Sequence, residues 1–66
     1  MKCIINGDEF NFEQDLPVTE VLSSLELDQE RIIVEFNGSL IKKENFNETI
    51  VRESDQLELL EFVGGG

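Results

Sequence analysis

The residues best placed to do chemistry are the last five, Phe62, Val63, Gly64, Gly65 and Gly66, where alternating apolar and acidic positions give way to three glycines. Glycine has no Cβ, so this stretch loses more backbone freedom on ordering than any other residue type would. An unrestrained terminus of this kind is expected to be flexible over residues 63–66. Four extended residues from Val63 reach roughly 13 Å at about 3.3 Å each. That reach and thinness let the terminal carboxylate of Gly66 enter a narrow slot on another protein, with Gly64 and Gly65 threading behind it. A cloning remnant or a frayed end would read the same on composition alone.

The remaining inventory excludes more than it offers. There is no histidine, tryptophan or tyrosine, so the usual general base and commonest metal ligand are missing. Cys3 is the only cysteine. One thiol makes no internal disulfide and cannot hold a structural zinc or an iron–sulfur cluster. Carboxylate pairs can do acid–base work, yet a single domain of 66 residues leaves little room for an enclosed pocket of ~300 Å³ or more. We therefore expect no catalytic residues, no bound cofactor and no metal: not an enzyme. Fifteen acids against five bases give a formal charge of −10, which repels phosphate backbones and anionic membranes. A basic docking surface on another protein is the electrostatic complement. The sequence shows no signal peptide and no apolar run approaching ~18 residues, so a cytoplasmic, reducing location is expected.

The elements that must hold the tail follow from periodicity. Residues 1–5 read as a strand, Asn6-Gly7 as a hairpin turn, and 9–13 as its partner with Phe10 and Phe12 on one side. Met1, Cys3 and Ile5 share a face, which makes Cys3 a small core residue rather than a reactive thiol. Val18, Val21, Leu22 and Leu25 recur at helical spacing, with Pro17 in the first turn. Residues 28–31 read as a polar connection. Residues 32–36 form a strand with Ile32, Val34 and Phe36 on one side and Ile33 and Glu35 on the other, closed by a second turn at Asn37-Gly38. Leu40-Ile41 is a short extended piece. Residues 42–46 look like a helical turn with Phe46 inward and both lysines solvated. Ile50-Val51 is a brief strand, and 57–62 is the last. If Leu57 and Leu59 face the core, Leu60 and Phe62 lie on the opposite surface beside the tail. They make either a docking patch that includes Val63 or ordinary scattered surface groups. The order predicts an α+β, β-grasp (ubiquitin-like) domain over 1–62, a mixed sheet of four to five strands with one helix across one face.

Together, Asn6 after the first strand, the helix over 18–25, Lys43-Glu44-Asn45-Phe46, Asp55 before the final strand and Phe62-Val63-Gly64-Gly65-Gly66 resemble the ThiS sulfur-carrier proteins of thiamine biosynthesis. The resemblance covers essentially the whole chain. Ser54 stands where that family often has a turn glycine, and Lys42 where proline is frequent.

The resemblance implies a specific chemistry. The Gly66 carboxylate, with an ordinary pKa of about 3.3–3.7, is ionised and inert toward nucleophiles at neutral pH. A ubiquitin-activating-like adenylyltransferase, using ATP and magnesium, would turn it into an acyl-adenylate. A persulfide sulfur donor would then leave a thiocarboxylate at Gly66, and thiazole synthase would take up the sulfur. Three other readings stay open: the small, sulfur-donating subunit of molybdopterin synthase, a ubiquitin-like protein modifier, and a non-covalent β-grasp binding module.

Overall fold

The computed structural model describes residues 1–63. The expected tail residues Gly64, Gly65 and Gly66 lie outside the described residues. The first hairpin pairs β1, Lys2–Ile5, antiparallel with β2, Asp8–Asn11. Its two-residue loop has Asn6 at φ 51° and Gly7 at φ 85°, the doubly left-handed geometry that favours Asn-Gly. The same chemistry recurs between β4, Ile32–Phe36, and β5, Ser39–Ile41, with Asn37 at φ 50° and Gly38 at φ 85°.

The last long strand, β7, Gln56–Glu61, lies at the centre of the sheet, in the order β2-β1-β7-β4-β5. It runs parallel to β1 and antiparallel to β4. The expected mixed sheet is thus five-stranded. A separate two-stranded ladder joins β3, Leu16–Pro17, to β6, Ile50–Val51.

Helix α1, Val18–Ser24, is only seven residues long, with Pro17 extended at its N-cap and no side-chain cap. A helix this short does not stand by itself in water. Burial of Val18, Val21 and Leu22 against the sheet holds it. With them in the core are Cys3, Ile5, Ile32, Val34, Phe46, Val51 and Leu57. The inward reading of Cys3 and Phe46 is therefore realised.

Some boundaries differ from the sequence reading, each for a local reason. Pro17 precedes the helix instead of starting it, because its backbone pairs with Ile50 in β3. The polar connection contains a 3₁₀ turn, Gln29–Arg31, whose first amides are capped when Glu30 N donates to Asp28 Oδ1 at 2.9 Å. Lys43 is not merely solvated: its ammonium meets Glu30 Oε1 at 2.6 Å on the surface. The last strand stops at Glu61, one residue short of Phe62.

The helix exit is a Schellman turn built without glycine. Leu27 N donates to Leu22 O at 2.9 Å and Glu26 N to Ser23 O at 3.0 Å, with Glu26 held at φ 58°. Ser54 is likewise left-handed, at φ 71°, a region that favours glycine. Lys42, at φ −74°, has the backbone angle that proline imposes.

Both hairpin asparagines reach beyond their own turns to the central strand. Asn6 Oδ1 accepts from Leu59 N at 2.8 Å, and Asn6 Nδ2 donates to Leu59 O at 3.2 Å. Asn37 Oδ1 accepts from Gln56 N at 2.9 Å, and Asn37 Nδ2 donates to Asp55 Oδ1 at 3.0 Å. The first pair continues the β1–β7 ladder past the point where β1 has turned away: Asn6 N donates to Leu57 O, and the side-chain amide then serves Leu59 as a further peptide would.

Left-handed backbone costs a non-glycine residue roughly 1–2 kcal/mol, partly offset by glycine's greater entropy loss. Glu26→Gly and Ser54→Gly should each raise unfolding free energy by up to about 1 kcal/mol, read as a higher urea midpoint at unchanged slope. Asn6→Gly keeps the turn but removes the clamp on Leu59, and should lower stability by about 1–2 kcal/mol in the same assay.

Candidate functional site

The site is built on the far end of β7, since that strand carries the chain terminus. Across it, β4 pairs along its whole length, with Ile33 opposite Leu60 and Glu35 opposite Glu58. Beyond the last strand residue, Phe62 N donates to Arg31 O at 2.9 Å, so the backbone is still tied to its neighbour one residue from Val63. On the other side the Asn6 amide holds Leu59. Two neighbouring elements thus fix where the terminus leaves the domain.

Period two sends Leu57 and Leu59 toward the helix and Leu60 to the opposite surface. Leu57 is fully buried and Leu59 half-buried, whereas Leu60 is 64%, Phe62 42% and Val63 86% exposed. The sequence reading expected Leu60 and Phe62 on the surface opposite Leu57, with Val63 as a further docking candidate, and the structure exposes all three. Gly64, Gly65 and Gly66, the threading and reacting residues of that reading, lie outside the described residues.

Two further apolar groups belong to the same face. Ile33, directly across from Leu60, is 42% exposed, and Leu40, opposite Glu35 on β5, is 67% exposed. The sequence signal for Ile33 was present, because it alternates out of phase with Ile32 and Val34. Linking it to Leu60 requires the β4–β7 register, which no local pattern supplies. The resulting surface presents Ile33, Leu40, Leu60 and Phe62 together. Apolar groups gathered on one sheet face mark an interaction surface better than the same residues scattered.

That face also carries an electrostatic tension. Glu35 and Glu58 are directly opposed across the strand pair, an arrangement of like charges that disfavours the sheet slightly. A cation from a partner would relieve it, giving the apolar face a charge preference as well as a shape.

Among the described residues no cluster of histidine, cysteine, aspartate or glutamate could hold a metal. Cys3 is buried, and its thiol pKa is raised by desolvation first and by the Asp55 carboxylate second. A buried, protonated thiol is a poor nucleophile. Among the described residues, no helix is long and apolar enough to cross a membrane. The geometry is that of a small sheet domain with exposed apolar residues on one face beside the end of its central strand.

Known proteins share this fold. A crystal structure of the thiamine biosynthesis protein ThiS from Geobacter metallireducens superposes with a TM-score of 0.85 at 39% identity, covering 100% of both chains. The Bacillus subtilis sulfur carrier protein ThiS is 33% identical over 63 residues, covering 94% of this chain and 96% of that protein. A thiazole synthase from Paramagnetospirillum magneticum contains a segment 36% identical to 66 residues, so the whole chain corresponds to only 20% of that longer protein. The model of the ThiS family matches residues 2–66. With the β-grasp sheet, the clamped central strand and the match running through to the final glycine, this chain is a member of the ThiS family.

Proposed function

We propose that the protein is a sulfur carrier for thiamine biosynthesis, working with thiazole synthase, and that the sulfur rides on the C-terminal carbonyl of Gly66. The observation that carries this reading is the docking face at the root of the tail: Leu60 and Phe62 exposed, Phe62 anchored to Arg31, and three glycines beyond. Support for the pathway comes from family membership and from thiazole synthases that carry a segment like this chain.

The chemistry begins with an ionised carboxylate that no nucleophile attacks at neutral pH. A ubiquitin-activating-like adenylyltransferase joins Gly66 to AMP, using ATP and magnesium and releasing pyrophosphate. Adenylation removes the carboxylate charge and installs a good leaving group. The terminal sulfur of a persulfide donor displaces AMP, and a thiol cleaves the resulting acyl–S–S bond, leaving a thiocarboxylate on Gly66. Thiazole synthase then takes the sulfur into the thiazole ring. ATP and magnesium act in the partner's site, and this chain contributes recognition and an acyl group.

Within this scheme each glycine has a task. A side chain at Gly65 or Gly66 would narrow access to the activated carbonyl and resist passage through the partner's slot. Gly64 separates the anchored strand from the threaded end. The acidic domain would speed encounter with a basic partner surface, an effect that weakens as salt is added.

Incubation with the adenylyltransferase, ATP, magnesium and a persulfide source should give a sulfur-for-oxygen mass gain confined to the C-terminal peptide. Deleting Gly66 should abolish the gain without altering the fold. Leu60→Asp and Phe62→Asp should each cut the rate of modification by about tenfold or more, the effect of losing a central apolar anchor worth roughly 1–2 kcal/mol or more. An unmodified wild-type terminus under conditions that modify the Bacillus subtilis carrier would overturn the proposal.

A further inference from the structure

The helix-side face of β7 holds a second feature that the sulfur chemistry does not use. Helix α1 spans about 10 Å at 1.5 Å per residue, whereas β7 extends about 20 Å. The helix is about half as long as β7, and the end of the strand around Leu59 and Glu61 borders a cavity. The helix's Schellman exit carries Leu25 and Leu27 over that end, where they stand half-buried. Between them and Phe10 and Leu59 a cavity of about 250 Å³ opens to solvent, with Asp8 and Glu61 among its lining residues. Among the described residues the ion pairs join Arg31 to Asp28 and Lys43 to Glu30, so no base offsets Asp8 or Glu61.

Size and charge together restrict what can fill it. An apolar cavity of about 150 Å³ holds a benzene molecule, so this one accepts an aromatic ring or a leucine side chain. It falls below the roughly 300–1,000 Å³ usual for small-molecule sites. The chain's own last residues offer nothing suitable: three glycines have no side chain to insert, and a terminal carboxylate is repelled by Asp8 and Glu61. We propose that this cavity receives one aromatic or leucine side chain from a protein partner, with an adjacent lysine or arginine of that partner bound by Asp8 and Glu61. It lies across β7 from Leu60, so the strand that carries the terminus can be gripped from both faces. This goes beyond the sulfur-carrier reading and does not depend on it.

The test uses the isolated chain, without ATP or enzymes, so its outcome is separate from that of the sulfur chemistry. Amide chemical shifts are followed by NMR during titration with N-acetyl-phenylalanyl-arginine amide, and in parallel with N-acetyl-phenylalanyl-glutamate amide. Saturable shifts are expected at Phe10, Leu25, Leu27 and Leu59, with the arginine probe binding about two- to fivefold more tightly, as expected for exposed ion pairs. Leu27→Phe should fill the cavity and abolish the shifts. Should that variant fold poorly, the Asp8→Asn, Glu61→Gln double variant still decides, because it should remove the preference for arginine while keeping the spectrum native. Shifts centred on Ile33 and Leu60, equal affinity for the two probes, self-association through these same amides, or no saturable shift up to the probes' solubility would each overturn the proposal.

Discussion

The structure depends on how firmly the central strand is held at its outgoing end. A parallel neighbour, β1, pairs with β7 only as far as Ile5 opposite Leu57. Past that point the N–H and C=O groups of β7 on that side would face water, and the strand would fray toward its outgoing end. The Asn6 side chain takes over as a surrogate peptide, giving Leu59 both a donor and an acceptor. On the opposite edge β4 and then Arg31 hold the backbone through Phe62. Asn37 does the equivalent work at the strand's beginning. Two turn asparagines, selected locally for positive φ, thus also fasten the same strand at both ends.

This explains how much of the molecule could be read from residues alone. Turn chemistry at Asn6-Gly7 and Asn37-Gly38, the helical spacing of Val18, Val21 and Leu22, and the alternation around Val34 are local signals, and each appears in the fold as read. The pairing of Leu16–Pro17 with Ile50–Val51 is not local, because it joins segments more than thirty residues apart and carries no pattern in either. The helix ends without its usual glycine because Glu26 adopts a left-handed backbone; the apolar stripe put the end at Leu25, one residue past Ser24, while the turn that follows carried no glycine signal. The asparagine clamps escaped for a related reason: their side chains had already been assigned a purpose within the turn.

For the candidate site the same division holds. Exposure of Leu60 and Phe62 followed from parity once Leu57 was placed in the core. Membership of Ile33 and Leu40 in that face needed the strand register. The cavity beside Leu27 needed the helix length. A small domain with few residues to spare for a core leaves apolar groups on both sides of its terminal strand, and the proposed carrier role gives such groups a use in recognition. In the proposed function the domain contributes position and recognition, while reactivity belongs to the terminus and to the partner enzymes.

Holding of the terminus in the proposed function requires β7 and the backbone after it to be rigid through Phe62. Native-state amide hydrogen exchange measures this directly at Leu57, Leu59 and Phe62. The clamped strand predicts that Leu59 and Phe62 exchange with an opening free energy close to that of Leu57, near the global unfolding value. Rapid exchange at Leu59 and Phe62 while Leu57 remains protected would contradict it, and would describe a strand frayed at its outgoing end.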